Sequence, residues 1–534
     1  MTEVGQRWPD RTRPLTATTF LQYLPVLTAC AYVATVLAMA PRLIRQLGWD
    51  SDAIGPFVLV ERLRGHGAVS IPHNGMWTAL WWLLATRHLP GHVQLWEATG
   101  YTFALASVAL LGWATWQVGR RWAGATAAAT AVIVGPVALR SFLTIVYHVR
   151  TPFTAALLGA YLVLLPRRRS KALAAGVGVL VGANAASDEL IWLAAVVPFA
   201  LASAILAVSS KRRDLAARAS VVLAASAAAA VIVNTVMHRL GYHVVSADLG
   251  VAHLSDWPRD LVQLGRMVAL LGGANYALPG GYPREPLRLL VALLAVAAIA
   301  ATLLLAVREL RHRSEPTALA FAVYWAASAI LVGVAFVLTT HAAANGAASV
   351  NYLLVLPLVA GAGVSLLAVD SPRSRAIVAV AIAVVGLTNI AGIVGGKAGI
   401  VNDKEGTSRG ALETYVEPLT RFLEQQGVTK GYAGYWDANN LTWKSKSHLL
   451  MAPVSTCGSP NAPSICEFPF FVVASWFDEQ PHSKSFLLFD PSDHEFLTKP
   501  PTIVKQASSA RRFGPLTVYL FDHDLARDIL PPET

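Results

Sequence analysis

The sequence predicts a polytopic α-helical membrane protein with about eleven transmembrane helices and a C-terminal extracytoplasmic α/β domain. Three observations carry this expectation. Of 534 residues, 54% are hydrophobic and only 14% are charged, whereas soluble domains run at roughly 25% charged. The mean hydropathy is +0.49, and the apolar residues come in blocks of about 20, the length that crosses a bilayer as a helix. After about residue 397 the composition turns polar and mixed, over a length ordinary for one domain. Such a composition does not suit a water-soluble chain. The three cysteines are too few for a disulfide scaffold or a zinc array.

Spans are predicted at 19–39, 94–119, 122–140, 151–166, 172–188, 191–209, 217–238, 287–307, 317–340, 350–369 and 376–395. Residues 1–18 form a tail with Arg7, Arg11 and Arg13 but without the apolar core and small-residue cleavage site of a removable signal peptide. Alternate loops carry Arg120 with Arg121, Arg167 to Arg169 with Lys171, Lys211 to Arg213, Arg308 with Arg311 and Arg313, and Arg373 with Arg375. Basic loops stay cytoplasmic, so the N-terminus is expected inside and the C-terminal domain outside, in the plasma (inner) membrane. The net charge of +11 is then largely topological, and nucleic acid loses its place as a partner.

Between the first and second spans, residues 40–93 form a large external loop of 19–396, the membrane domain. Two stretches in it, Ile54 to Leu63 and Met76 to Leu84, are amphipathic and expected to lie along the membrane surface. A second external stretch covers about 240–286. In the C-terminal domain, 397–534, Thr407 to Gln426 has helical periodicity, while Val428 to Trp436, Phe470 to Trp476, Ser485 to Phe489 and Leu516 to Phe521 read as strands. Cys30, in the first span, reads as a small buried apolar residue. Cys457 and Cys466 are close enough to bridge in an oxidising compartment. Two unpaired thiols are the alternative, and no partner spacing for a metal accompanies them.

Ionisable residues avoid the span centres, which argues against a proton relay or voltage sensor. They gather at the external ends. Asp50 and Asp52 follow the first span, trailed by Glu61, Arg62, Arg64, His66 and His73. Two carboxylates at the lipid-water boundary suit a general base or a divalent cation such as Mg or Mn. Capping of a helix starting near Ala53 accounts for them equally well. Ser187-Asp188-Glu189, one turn after Asn184, reads either as turn and capping chemistry or as a second wall of the same acidic pocket.

Phosphate recognition needs external cations or hydrogen-bond donors. Arg140, His148 and Arg150 flank one short external loop, and His341 ends the ninth span; snorkelling to lipid headgroups is the plainer role for such arginines. In the C-terminal domain, Gly431 to Asn440 holds Tyr432, Tyr435, Trp436, Asp437 and Asn440. Rings beside small polar groups suit stacking on sugars, while a strand with core aromatics and a polar turn explains the same composition.

An acidic motif after the first span, surface helices in a large first external loop, about eleven spans and an external α/β domain together resemble the GT-C superfamily of membrane glycosyltransferases. The similarity is to the branch containing protein O-mannosyltransferases, aminoarabinose transferases and actinobacterial mannosyl- and arabinosyltransferases. It covers the architecture of the whole chain, with thin motif content. The resemblance implies inverting transfer of a sugar from a polyprenyl-phosphate donor to a glycan, glycolipid or protein acceptor of the cell envelope at the external face. It places the catalytic acid at Asp50 or Asp52, where many relatives have Asp-Glu. Ser349-Val350-Asn351-Tyr352-Leu353-Leu354 is similar to an Arg-Tyr-Leu stretch whose Arg contacts donor phosphate in relatives. Here Asn351 stands at the Arg position, beside Tyr352, which directs attention to nearby His341. Phosphate would then fall to His341, Arg150 or Arg140.

Two other classes fit the same sequence. A transporter or flippase of a lipid-linked sugar would place polar groups and helix breaks near the midplane. An inactive scaffold of the same fold would keep the topology without the chemistry.

Overall fold

The computed structural model describes residues 17–47, 51–62, 68–72, 76–119, 121–143, 146–245, 250–274, 286–312, 315–340, 346–368, 371–395, 403–446, 448–459, 462–491, 493 and 497–531. The chain runs through α1 (Ala17–Leu47), α2 (Ser51–Arg62), β1 (Val69–Pro72), α3 (Met76–Thr86), α4 (His92–Val118), α5 (Arg121–Val132), α6 (Pro136–Leu143), α7 (Arg150–Leu164) and α8 (Lys171–Ala185). A π-helical turn, Trp192–Val196, leads into α9 (Val197–Ser209), followed by α10 (Arg213–Arg239), β2 (Tyr242–Val245), α11 (Trp257–Leu271), α12 (Pro286–His312) and α13 (Pro316–Leu338). A 3-10 helix, Gly346–Leu353, precedes α14 (Leu356–Ala368), and α15 (Pro372–Val394) closes the bundle.

Every predicted span coincides with helix. Among the described residues, 7 helices are long and apolar enough to cross a membrane. Of the remaining spans, α4 has 27 residues, and α7 and α8 are shorter apolar helices of 15 residues each. The predicted span 122–140 needs correction: it is not one rod but α5 and α6, which meet at 83°. Pro136 opens α6, because a residue without an N–H suits a first turn and cannot continue the preceding helix. Gly135 lets the break dock on the end of α11. Its N–H donates to the Leu271 carbonyl at 2.7 Å, and a Cβ there would sit 2.3 Å from the Leu270 carbonyl oxygen. Cys30 is likewise corrected: it is exposed on the outer side of α1 rather than buried, a position that a lipid-facing apolar residue occupies at no cost.

The C-terminal domain comprises α16 (Asp403–Gln425), β3 (Lys430–Gly434), α17 (Tyr435–Lys444), β4 (Leu450–Ser459), β5 (Ala462–Glu467), β6 (Val472–Val473), β7 (Ser485–Phe489), β8 (Ser509–Phe513) and β9 (Leu516–Phe521). Six strands form one sheet in the order β5-β4-β3-β7-β9-β8, with β3 parallel to β4 and β7. The helical and two of the strand expectations hold closely. The other two shorten: Val428 to Trp436 turns helical after Gly434, and Phe470 to Trp476 keeps only β6 before a 3-10 turn. Cys457 and Cys466 are disulfide-bonded across the β4-β5 hairpin, with Cα atoms 5.9 Å apart.

One face of the sheet packs under α16, through Leu419, Phe422 and Leu423 against Phe486 and Leu488. The opposite side reaches the segment between α1 and α4. Ile54, Phe57, Val58 and Leu59 of α2 are buried in the same core as Tyr432, Tyr435 and Phe471. This corrects the expectation of a helix lying free on the membrane surface, because every residue from Ile54 to Val60 is buried. Burial on all sides at roughly 1.5–3 kcal/mol per large apolar side chain makes α2 a part of the domain interface. A second sheet, β2-β1-β6, reinforces it. β1 runs parallel to β2 and antiparallel to β6, so the segment between α1 and α4, the segment after α10 and the C-terminal domain share one side of the helical bundle.

Candidate functional site

On that side, the ends of several helices bring predicted residues together. α7 begins at Arg150, directly after a 3-10 turn, Val146–Val149, that holds His148. The connection between α8 and the π turn presents Asp188. Thr151 Oγ1–H donates to Asp188 Oδ2 at 2.5 Å, within the range of strong hydroxyl-carboxylate bonds. The Leu190 N–H donates to Asp188 Oδ1 at 3.0 Å, so the acid also caps the helix that follows. Arg150 lies close enough for its charge to interact with that of Asp188. The capping reading of this acid therefore holds: one oxygen caps the helix that follows, and the other accepts from Thr151 at the start of α7.

The second half of the cluster comes from the segment before α14. The His148 and Tyr352 rings meet edge to face, with centroids 5.8 Å apart at 74°. Ser141 Oγ–H, at the end of α6, donates to Asn351 Oδ1. Asn351, at the position where the resemblance places arginine, is thus tied to α6 through a neutral hydrogen bond. Ser187 adds an unused group: its hydroxyl is fully buried and has no hydrogen-bond partner. Arg150, Asp188, His148 and Tyr352 are each only half-buried, as a site open to a substrate requires.

Thr151 and Ser141 escaped the sequence reading. The available signal was weak but real, since each hydroxyl directly follows an arginine at a predicted span end, Thr151 after Arg150 and Ser141 after Arg140. Glu189 is exposed and joins none of these contacts among the described residues. Asp50, His73 and His341 lie outside the described residues, as do the side chains of Asp52, in the first turn of α2, and Arg140, in α6. Among the described residues, no group of three or more His, Cys, Asp or Glu side chains is spaced to hold a metal ion.

The aromatic segment of the C-terminal domain requires a correction. Tyr435, Asp437 and Asn440 are buried, and the Tyr435 ring packs against Trp436, Phe468 and Phe470 at 5.1, 5.1 and 5.8 Å. These rings fill the core under α2 and do not form a platform for sugars; Trp436 alone of the four stays half-buried. Asp437 is pushed well above the usual carboxylate range by burial first and by the nearby Asp490 and Asp493 second, with Lys444 opposing.

No family model matches the sequence, and no curated protein is similar to it. Solved structures do match. ArnT from Cupriavidus metallidurans, bound to undecaprenyl phosphate, superposes at a TM-score of 0.53 and 13% identity, over 95% of this chain and 98% of that one. The chain has the GT-C fold. The oligosaccharyltransferase of Archaeoglobus fulgidus, crystallised with zinc and sulfate, matches at a TM-score of 0.47 and 14% identity over 80% of this chain. This chain spans 62% of that protein's length. In the GT-C fold seen here, the polar cluster stands at the boundary between the helical bundle and the extramembrane layer.

Proposed function

We propose that the protein is a membrane glycosyltransferase that moves a sugar from a polyprenyl-phosphate donor to a glycan, lipid or protein acceptor on the external face of the plasma membrane. The observation that carries this reading is the Arg150–Asp188–Thr151 cluster at one rim of a bundle whose fold is that of a lipid-phosphate-binding relative. A cation held by a carboxylate at the lipid-water boundary is matched to an anionic headgroup whose tail stays in the bilayer.

In the reaction, the acceptor hydroxyl oxygen forms a bond to the anomeric carbon as the bond from that carbon to the phosphate oxygen breaks. A single displacement of this kind inverts the anomeric configuration. Asp50 or Asp52 takes the hydroxyl proton. The departing lipid phosphate gains negative charge, which Arg150 and donors beside it stabilise where water is scarce. Asp188 positions Arg150, and its cap to Leu190 holds the acid in place.

Two measurements test this. Undecaprenyl phosphate binding to the purified protein, followed by native mass spectrometry, is expected to weaken at least about tenfold in Arg150→Gln, as loss of a charged hydrogen bond of roughly 1.5–3 kcal/mol requires. Envelope glycans from cells carrying Asp50→Asn or Asp52→Asn are expected to lack, in one of the two, a modification that the unaltered protein restores to a deletion strain. Unchanged binding and unchanged glycans in all three variants would reject the assignment.

A further inference from the structure

The segment after α10, which the sequence places in an external stretch, contains α11. With 15 residues this helix is too short to cross a bilayer. Contacts at both ends fix its level in the bundle. Just before it, the Ala252 N–H donates to the Leu338 carbonyl at 2.8 Å, and the Thr340 N–H donates to the Gly250 carbonyl at 3.0 Å. The helix therefore sets out from the end of span α13. Further along, Leu264 packs on Gly333, where a Cβ would lie 3.6 Å from the Leu264 side chain. Gly333 precedes Leu338, the last residue of α13, by five residues, roughly 7 Å at 1.5 Å per residue.

The far end of α11 docks on the α5-α6 corner. There the Leu271 carbonyl accepts from the Gly135 N–H, and the Gly272 carbonyl accepts from Asn389 Nδ2–H at 3.2 Å. The last carbonyls of a helix have no partner within it, and hydrocarbon offers none, so these two bonds suit an end held at membrane depth. Val268 and Leu271 also line an apolar cavity of about 240 Å³ with Leu294 and Ala298 of α12 and Ile382 of α15, and no charged side chain borders it.

Outside these contacts α11 presents two exposed stripes. Pro258, Leu261, Val262 and Gly265, three or four residues apart, form an apolar one that Leu254 extends backwards. Leu254, Leu261 and Val262 are 70%, 60% and 56% exposed. Arg259, Gln263 and Arg266 form the polar one, with Arg259 ion-paired to Asp256 and Asp260 at 3.4 and 3.3 Å.

We propose that α11 lies in the lipid leaflet on the side of the C-terminal domain, with the Leu261-Val262 stripe against acyl chains and Arg259 and Arg266 at the headgroups. The depth fits, because helices of this kind sink their apolar face about 5–10 Å into the boundary between headgroups and chains. Trp257, which opens α11, belongs to the residue type enriched at that boundary. The partner is lipid because the stripe continues the apolar outer surface of the two spans α11 packs on. Leu290 and Leu293 of α12 and Ile330 and Val334 of α13 are exposed at the same end of the bundle. The inference needs the membrane bundle but not the proposed sugar transfer.

The test places spin labels on single cysteines in the full Cys30→Ala chain, with the disulfide intact, in nanodiscs of phosphatidylethanolamine and phosphatidylglycerol. Relaxation by oxygen, which concentrates in hydrocarbon, is compared with relaxation by an ionic nickel chelate, which stays in water. Leu261→Cys and Val262→Cys are expected to show an oxygen-to-nickel ratio at least about fivefold that of Glu479→Cys, as burial below the headgroups requires. Arg259→Cys is expected to stay within about twofold of Glu479→Cys, because the polar stripe faces headgroups and water. All four positions are exposed, and a melting temperature equal to that of Cys30→Ala shows each labelled chain folded. Leu254→Cys takes the place of either apolar position that fails this check. A ratio at the apolar positions equal to that of Glu479→Cys puts the stripe in water and overturns the proposal. Protection of those positions from both reagents means that protein covers the stripe, and overturns it equally.

Discussion

Two buried acids of the C-terminal domain illustrate how burial alone does not decide a charge. Asp524 accepts hydrogen bonds from Lys430 Nζ and Tyr432 OH, both at 2.7 Å, and from the backbone N–H groups of Gln480 and Ala526, both at 3.0 Å. Burial pushes its carboxyl up, but those four donors together outweigh it and hold the group below the ordinary carboxylate value. Asp437 sits in the first turn of α17, where a helix dipole favours an anion by roughly 0.3–1 kcal/mol. Burial and two neighbouring acids overcome that modest term and raise it. The sign of the consequence follows from linkage. A carboxyl with a raised folded value keeps its proton while the unfolded chain loses one, so its contribution is full below the unfolded value near 3.8 and declines as pH rises from there toward the folded value. Asp437→Asn is therefore expected to raise the melting temperature at pH 8 and leave it nearly unchanged at pH 3.5. A thermal melt series across that range checks it, and a variant less stable than the parent at pH 8 would show that the charge is used.

At the scale of elements, α2 matters most, because it joins the segment after α1 to the C-terminal domain. Gly55 faces the Phe471 ring so closely that a Cβ would lie 2.4 Å from it. Overpacking of a filled interface costs about 1–3 kcal/mol, and here the strain falls on the contact between two domains. Gly55→Leu is expected to loosen the C-terminal domain from the bundle without unfolding the helices. Limited proteolysis would then cut the α2 region faster while helicity by circular dichroism stays constant. Equal cleavage rates would show that α2 is not the fastening. The α5-α6 break belongs to the same scale. Apolar periodicity carried the prediction straight across it, because the composition of 122–140 satisfies a span whether the helix is continuous or bent. Only the seating of Gly135 on the backbone of α11 reveals the corner.

For the whole molecule, the β2-β1-β6 sheet ties three distant segments to one side, which agrees with the alternation of basic loops between spans. We expect that side to be extracytoplasmic. In a Cys30→Ala background, Glu479→Cys should react with a membrane-impermeant maleimide in intact cells, whereas Arg169→Cys should react only after lysis; both positions are exposed. The opposite pattern would invert the topology and remove the external face from the proposed reaction.

The helical spans and their basic loops were legible because hydrocarbon imposes a length and a composition on each helix separately, and neither depends on what the helix packs against. The acids and cations at the span ends were legible as residue types for the same reason: an ionisable group there stands out from its apolar surroundings. Their pairing was not. Thr151 and Asp188 lie 37 residues apart, and Ser141 and Asn351 lie 210 apart, so their contacts depend on how helix ends converge. Burial of Tyr435, Asp437 and Asn440 was equally hidden, because aromatic and small polar residues compose a sugar platform or a domain core alike until α2 is seen lying across them. Sequence by itself thus determined a polytopic helical protein with its polar groups gathered at one rim. Tertiary structure alone decided which of those groups meet, since contact between distant segments is settled by packing and not by local composition.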